Sequence, residues 1–246
     1  MLKKLLKHEF IFLVKDFMRI YIIYGAVVLI LKLLITVSGA QRIGSALFIL
    51  TTMIATIYYI FTFVLALLTV SHNVRRFRKN LFSQEGYLTH TLPVTPAQHV
   101  IAKVIGGLSN FILSFLAIFL GAEILLLGIG EIELLRGIKE LLDELHKYGL
   151  LLPLFLMFAA GFLAMLLFCY LITSVSSMVG GSKWLGALLA IGIIFAYIFI
   201  SVALTVSFAG HTVKSYLYTH AAFYAICAAA EFGIVIYIIK NKLNLQ

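Results

Sequence analysis

Three ionisable side chains lie inside long apolar stretches of the sequence: Lys32, Glu123 and Glu231. Such residues are costly in a bilayer and are candidates for function or for pairing with each other. Lys32 and Glu123 lie at similar depths, about 9 Å from the end of their stretch at 1.5 Å per helical residue, which allows an ion pair. Glu231 lies about 12 Å deep by the same rise and has no evident partner. We expect it to be protonated or to face a wet cavity, unless its role is only structural.

No other residue pattern indicates catalysis, a metal or a bound cofactor. The sequence contains no GxxxxGK[ST] phosphate loop, no HExxH and no GxSxG. Cys169 and Cys227 both lie in apolar stretches, so we interpret them as buried thiols and not as a disulfide or a metal pair. We therefore expect a protein that is not an enzyme and that binds no metal or cofactor itself.

The composition is that of a membrane protein. The 246 residues are 63% hydrophobic and 12% charged, whereas a soluble domain is about 45–50% apolar and about 25% charged. We predict an all-α protein with a single transmembrane domain over residues 1–246. Its six transmembrane helices are predicted at 20–38, 45–70, 105–128, 150–174, 185–208 and 220–239. The net charge of +9 then reflects loops that face anionic lipid, and we expect no nucleic acid partner.

The basic residues predict the orientation of these helices. Most of the 19 Lys and Arg residues fall in residues 1–19, in the polar segment 71–104 and in the C-terminal tail, which places both termini in the cytoplasm. Residues 1–19 alternate apolar and basic positions at helical spacing, and we predict an amphipathic helix that lies flat on the inner membrane surface. The alternative is that this helix merely extends the first span.

Two polar segments separate the spans. In the cytoplasmic segment 71–104 we predict a short helix from Ser83 to about Leu92, and then a second helix that Thr95 and Gln98 cap and that continues into span three. Such a stiff loop could transmit force, or it could only connect two spans. The segment 129–149 predicts an extracellular amphipathic helix, which packs on the spans, lies on the outer leaflet, caps a dimer or touches a cationic cargo.

The stretch EGYLTHTLPVTP at 85–96, followed by Gln98 and Ala102–Lys103, resembles the first cytoplasmic loop of type-2 ATP-binding cassette (ABC) transporter permeases. The similarity is greatest to small permeases of Gram-positive, clostridial-type bacteria, which are linked to peptide or antimicrobial export and resistance. The opening MLKKLLKHEF resembles theirs as well. Larger members carry substantial re-entrant helices between spans five and six, for which residues 209–219 are too short.

The resemblance implies a permease subunit whose coupling helix docks on a separate ATPase subunit. The implied contact residues are Glu85, Gly86, Tyr87, Leu88, Thr89, His90, Thr91 and Leu92. The working unit would hold two ATPase copies, which bind ATP and Mg²⁺, and a second permease chain as a homo- or heterodimer in the cytoplasmic membrane. The cargo would be a peptide, an antimicrobial or a lipid-like molecule. The alternatives are an ATPase-independent secondary transporter, with Glu231 as the ion site, and a membrane assembly scaffold.

Overall fold

The computed structural model describes residues 2–39, 44–82, 94–126, 131–178, 183–207 and 212–241. These residues confirm the all-α prediction, and nearly all of them lie in helices. The helices of this part of the chain are α1 (Leu2–Gly39), α2 (Gly44–Phe82), α3 (Pro96–Leu126), α4 (Glu131–Lys147), α5 (Leu151–Met178), α6 (Lys183–Ser207) and α7 (Val213–Asn241).

Five helices are long and apolar enough to cross a membrane, as counted over the described residues. The stretches are Phe17–Thr36, Thr52–Phe82, Pro96–Leu125, Leu151–Ser177 and Val213–Asn241. Large apolar side chains cover their outer surfaces: Phe115 is 67% exposed and Phe155 is 69% exposed. An apolar exterior of this kind suits lipid and not water, so the chain is a multi-pass membrane protein. Helix α6 corresponds to the predicted span 185–208 and contributes a shorter apolar stretch, Ile191–Ser207.

Helix α1 differs from the prediction at the N-terminus. Residues 2–39 form one continuous helix, so no break separates the predicted interfacial stretch 1–19 from the predicted span 20–38, and the apolar stretch of this helix is Phe17–Thr36. The physical reason lies in the sequence, because no Gly or Pro interrupts the hydrogen-bonding ladder between Phe17 and Tyr24. The alternative prediction, in which the amphipathic stretch extends the first span, describes this helix.

Helices α1, α2 and α3 form one packed group. Helix α1 runs parallel to α3, and hydrogen bonds join Tyr21 to Ser114 and Lys32 to Leu125 with the same separation of 93 residues. Helix α2 runs antiparallel to both. Their shared core contains Tyr24 and Val28 of α1 with Leu65 of α2.

The C-terminal half forms a second group, in which α5 packs along α7 more extensively than any other pair of described helices. Gly161 of α5 faces the ring of Tyr224 of α7 in this contact, and a Cβ atom at Gly161 would lie 3.7 Å from that ring. A core that includes Phe77 of α2, Tyr170 of α5 and Val235 of α7 joins the two groups.

Local sequence signals explain the helix ends. The predicted capping box at α3 is confirmed: the Gln98 backbone N–H donates to Thr95 Oγ1, and the Thr95 N–H donates to Gln98 Oε1, both at 3.3 Å. The predicted helix in 129–149 is confirmed as α4. Helix α4 ends at Lys147, and Gly149 follows it with a φ of 62°, a conformation that favours glycine. The Leu150 N–H donates a hydrogen bond to the Leu145 carbonyl.

Candidate functional site

Three charged side chains from α1, α2 and α3 meet in a buried ionic cluster, which we define as Glu9, Arg76 and Lys103. Glu9 Oε1 accepts a hydrogen bond from Lys103 Nζ at 2.5 Å, and Glu9 Oε2 pairs with Arg76 Nη2 at 2.9 Å. Arg76 also donates to the Glu9 backbone carbonyl at 3.2 Å. Because Glu9 and Lys103 are only 6% and 5% exposed, water screens these interactions little.

The ionic cluster lies where α2 ends and α3 begins. Arg76 precedes the last residue of α2, Phe82, by two turns, and Lys103 follows the first residue of α3, Pro96, by two turns. At 1.5 Å per residue the cluster is therefore about 10 Å from the connecting segment along either helix. The cluster joins both flanks of that segment to α1.

A polar ladder continues from the ionic cluster along the same three helices, and we define it as Tyr21, Thr69, Asn73, Asn110 and Ser114. Asn110 donates to Asn73 at 3.0 Å, and Tyr21 donates to Asn110 at 3.3 Å. The Ser114 hydroxyl lies 3.0 Å from that of Tyr21 and 2.8 Å from that of Thr69. Since each of these groups would lose its partner if a helix moved alone, the ladder fixes the register of α1, α2 and α3.

Helix α5 is attached to the same region. The Tyr170 hydroxyl donates to the Lys103 backbone carbonyl at 3.1 Å. The Tyr170 ring stacks on Phe77 of α2, with 4.0 Å between centroids and 7° between planes. Gly107 leaves room for this contact, because a Cβ atom there would lie 2.8 Å from Leu166 and 3.1 Å from the Tyr170 hydroxyl oxygen. Four helices therefore meet around the ionic cluster.

The sequence reasoning missed Glu9. Arg76 and Lys103 fall in the predicted cytoplasmic segment 71–104, and no prediction concerns Glu9. The sequence does contain an indication that Glu9 is buried. Glu9 shares one helix face with three apolar residues at a spacing of four, namely Leu5, Leu13 and Phe17. A carboxylate on the apolar stripe of an amphipathic helix needs a partner when that stripe is buried.

The predicted coupling residues lie outside the described residues, so their contacts stay a prediction. They are Glu85, Gly86, Tyr87, Leu88, Thr89, His90, Thr91 and Leu92. The structure describes what flanks them, namely the end of α2 at Phe82 and the capped start of α3.

The structure places Lys32 near Glu123, but the predicted ion pair between them stays a prediction. Lys32 Nζ donates to the Leu125 backbone carbonyl at 3.2 Å, which brings Lys32 to the turn of α3 that carries Glu123. Glu123 Oε1 is buried, and no described residue forms a hydrogen bond with it.

Glu231 has a hydrogen-bond partner that the sequence does not indicate, and its predicted protonation or wet surroundings stay a prediction. The hydroxyl of Tyr197 on α6 donates to Glu231 Oε1 on α7 at 2.8 Å. Glu231 is 4% exposed, and its Oε2 atom has no hydrogen-bond partner among the described residues. The pairing of Tyr197 with Glu231 depends on how α6 and α7 pack.

The described residues contain no group of three or more His, Cys, Asp or Glu side chains placed to hold a metal ion. Comparisons with protein-family models, with curated proteins and with solved structures find no match to this chain. The functional argument therefore depends on the sequence and on the side-chain geometry.

Proposed function

We propose that this chain is the permease subunit of an ABC exporter in the cytoplasmic membrane. In this proposal α6 forms the fifth of six spans, and both termini lie in the cytoplasm. A separate ATPase, present in two copies, binds ATP and Mg²⁺ and drives a dimer of permease chains. The cargo is a peptide, an antimicrobial or a lipid-like molecule.

The ionic cluster is the observation that carries this proposal. An ATPase that pushes on residues 83–92 can move the membrane helices only if the loop is joined to something stiff. Glu9 ties α1 to the two helices that flank the loop, and Tyr170 ties α5 to the same place. A displacement of the loop is then shared by four helices.

The lengths of the helices favour such a lever. Helix α1 has 38 residues and α2 has 39, so each is about 57–58 Å long at 1.5 Å per residue. The hydrocarbon core of a bilayer is only about 30 Å thick. Because the charged residues of the cluster lie near the start of α1 and the end of α2, these helix ends project towards the cytoplasm and not into the lipid.

The mechanism follows from this arrangement. When the ATPase dimer closes on nucleotide, the coupling residues shift, and α2 and α3 tilt together with α1. Access to a cavity then changes from one side of the membrane to the other. The ATPase biases this equilibrium by as much as its contacts with the loop differ between the two positions.

A secondary transporter is the second candidate. Such transporters commonly place broken helices near the middle of the membrane. The five long apolar helices of the described residues run without a break, which favours the exporter. A membrane assembly scaffold would need neither an ATPase nor a moving loop.

Co-purification tests the proposed function. The full chain, solubilised mildly from its native membranes, should bring down a stoichiometric subunit that carries a GxxxxGK[ST] motif. The double substitution Tyr87→Ala and Leu88→Ala should abolish this association. The matched control is Tyr148→Ala with Leu152→Ala, because both side chains are exposed at the predicted opposite side of the membrane. Retention of the ATPase by the first variant would refute the coupling site, and its absence from the wild type would refute the exporter.

A further inference from the structure

A cleft between α5, α6 and α7 is large enough for a small organic molecule. Its volume is about 430 Å³, and its lining includes Phe158, Phe162, Met165, Phe168, Tyr197 and Tyr224. Ligand sites typically enclose about 300–1,000 Å³. Phe158 and Ile198 at its edge are each 54% exposed, so the cleft opens sideways to lipid.

Aromatic rings surround Tyr197, which is one of two tyrosines among the described residues that line this cleft. The Tyr197 ring meets Phe168 and Phe223 edge-on, at centroid distances of 5.7 and 5.8 Å. Because the Tyr197 hydroxyl donates a hydrogen bond to Glu231, the electron density on the Tyr197 ring increases. Electron-rich ring faces attract organic cations.

Glu231 lies behind Tyr197, outside the lining of the cleft, and a cation bound in the cleft would favour the ionised form of its carboxyl group. Its side chain is buried, no Lys or Arg of the described residues forms an ion pair with it, and its Oε2 atom accepts no hydrogen bond from them. A buried carboxylate without a cation is costly, and a cation in the adjacent cleft would reduce that cost.

We propose that the cleft between α5, α6 and α7 binds a lipophilic organic cation that enters from the membrane, contacts the Tyr197 ring and is attracted by the Glu231 carboxylate behind that ring. The apolar walls contact the hydrophobic groups of the ligand, and Glu231 selects its positive charge. As the cargo site of an exporter this inference rests on the proposed function, but binding itself requires no ATPase.

The probe for this inference is radiolabelled tetraphenylphosphonium, measured by equilibrium dialysis against the purified full chain in detergent micelles. The uncharged comparison is triphenylphosphine oxide, and protein-free micelles provide the blank. Glu231→Gln keeps the shape of the side chain and removes its charge. Glu123→Gln is the matched control, because it removes an intramembrane carboxylate on α3, outside this cleft.

We expect Glu231→Gln to raise the Kd for tetraphenylphosphonium about tenfold or more, since a charge pair of low solvent exposure is lost. The Kd for triphenylphosphine oxide should stay unchanged, and Glu123→Gln should behave as the wild type. Tyr197→Phe keeps the ring but loses the hydrogen bond, and it should weaken cation binding by a smaller factor.

Three results would overturn the inference. The wild type could fail to bind tetraphenylphosphonium. Glu231→Gln could bind it as tightly as the wild type. Both probes could weaken equally, which would mean that Glu231 only shapes the cleft or that the cleft is an acyl-chain groove. The binding measurement includes no ATPase. A negative binding result would therefore leave the co-purification result valid, and a negative co-purification result would leave the binding result valid.

Discussion

The substitution Glu9→Gln should destabilise the protein strongly. The amide keeps the size of the carboxylate but removes the negative charge that lies between the buried Arg76 and Lys103 cations. The side chains of these two residues are only 13% and 5% exposed, so water can replace little of the lost interaction. Removing one partner of a buried ion pair costs about 3–5 kcal/mol.

Arg76→Gln provides a graded comparison at the same site. It removes the Arg76 contacts with Glu9 Oε2 and with the Glu9 backbone carbonyl but leaves Glu9 paired with Lys103. We expect a loss of about 1.5–3 kcal/mol, the value for a hydrogen bond to a charged group. The double variant keeps Lys103 as a single cation and should recover part of the Glu9→Gln loss, with a coupling energy of about 0.5–3 kcal/mol.

Thermal unfolding in detergent measures these differences. A thiol-reactive fluorophore reports when Cys169 and Cys227, which are partly buried on α5 and α7, become accessible. Both thiols lie outside α1, so their labelling follows unfolding of the bundle and not fraying of the N-terminus. At about 2–4 °C per kcal/mol for a chain of this size, Glu9→Gln should lower Tm by roughly 6–20 °C.

The control is Glu140→Gln, which removes an exposed carboxylate from α4 and should leave Tm nearly unchanged. Our reasoning would be refuted if Glu9→Gln shifted Tm no more than this control. It would also be refuted if Arg76→Gln lowered the free energy of unfolding more than Glu9→Gln. Repulsion between the two cations would then not be the main cause of the destabilisation.

Two further predictions concern packing and orientation. Gly107→Leu should cost about 1–3 kcal/mol in the same thermal assay, because its Cβ alone would come within 2.8 Å of Leu166. Gly25→Leu, which has no atom within 4 Å of the added Cβ, is the control, and equal losses would contradict the packing argument. In a cysteine-free background, Glu140→Cys should react with an impermeant maleimide on intact cells, whereas Arg75→Cys should react only after permeabilisation. The opposite pattern would reverse the proposed orientation.

Features of the fold that depend on local sequence could be predicted. The apolar stretches give the long helices, because spanning a membrane requires about 20 apolar residues in a row. The start of α3 could be predicted to the residue, since the hydrogen bonds of a capping box join Thr95 and Gln98 within one turn. The continuity of α1 could not be predicted from its amphipathic stretch, because a change in surface polarity does not break the backbone ladder of a helix.

Features of the candidate site that depend on tertiary packing could not be predicted. Glu9 meets Lys103, 94 residues away, only because α1 and α3 run parallel in one particular register. Glu231 meets Tyr197 for the same kind of reason, across the packing of α6 and α7. Sequence patterns indicate that a buried charge needs a partner, but the identity of that partner follows from helix register.

The register of α1 against α3 also bears on how force would spread through the molecule. Three contacts set it at nearly constant separation: 94 residues from Glu9 to Lys103, 93 from Tyr21 to Ser114 and 93 from Lys32 to Leu125. Two parallel helices held at three heights cannot slide past each other without breaking a buried ion pair and two hydrogen bonds. They therefore behave as one rod, and a push on the start of α3 would reach the far end of α1. If the coupling loop is pushed as we propose, the resulting motion is a tilt of this rod and not a bend of either helix.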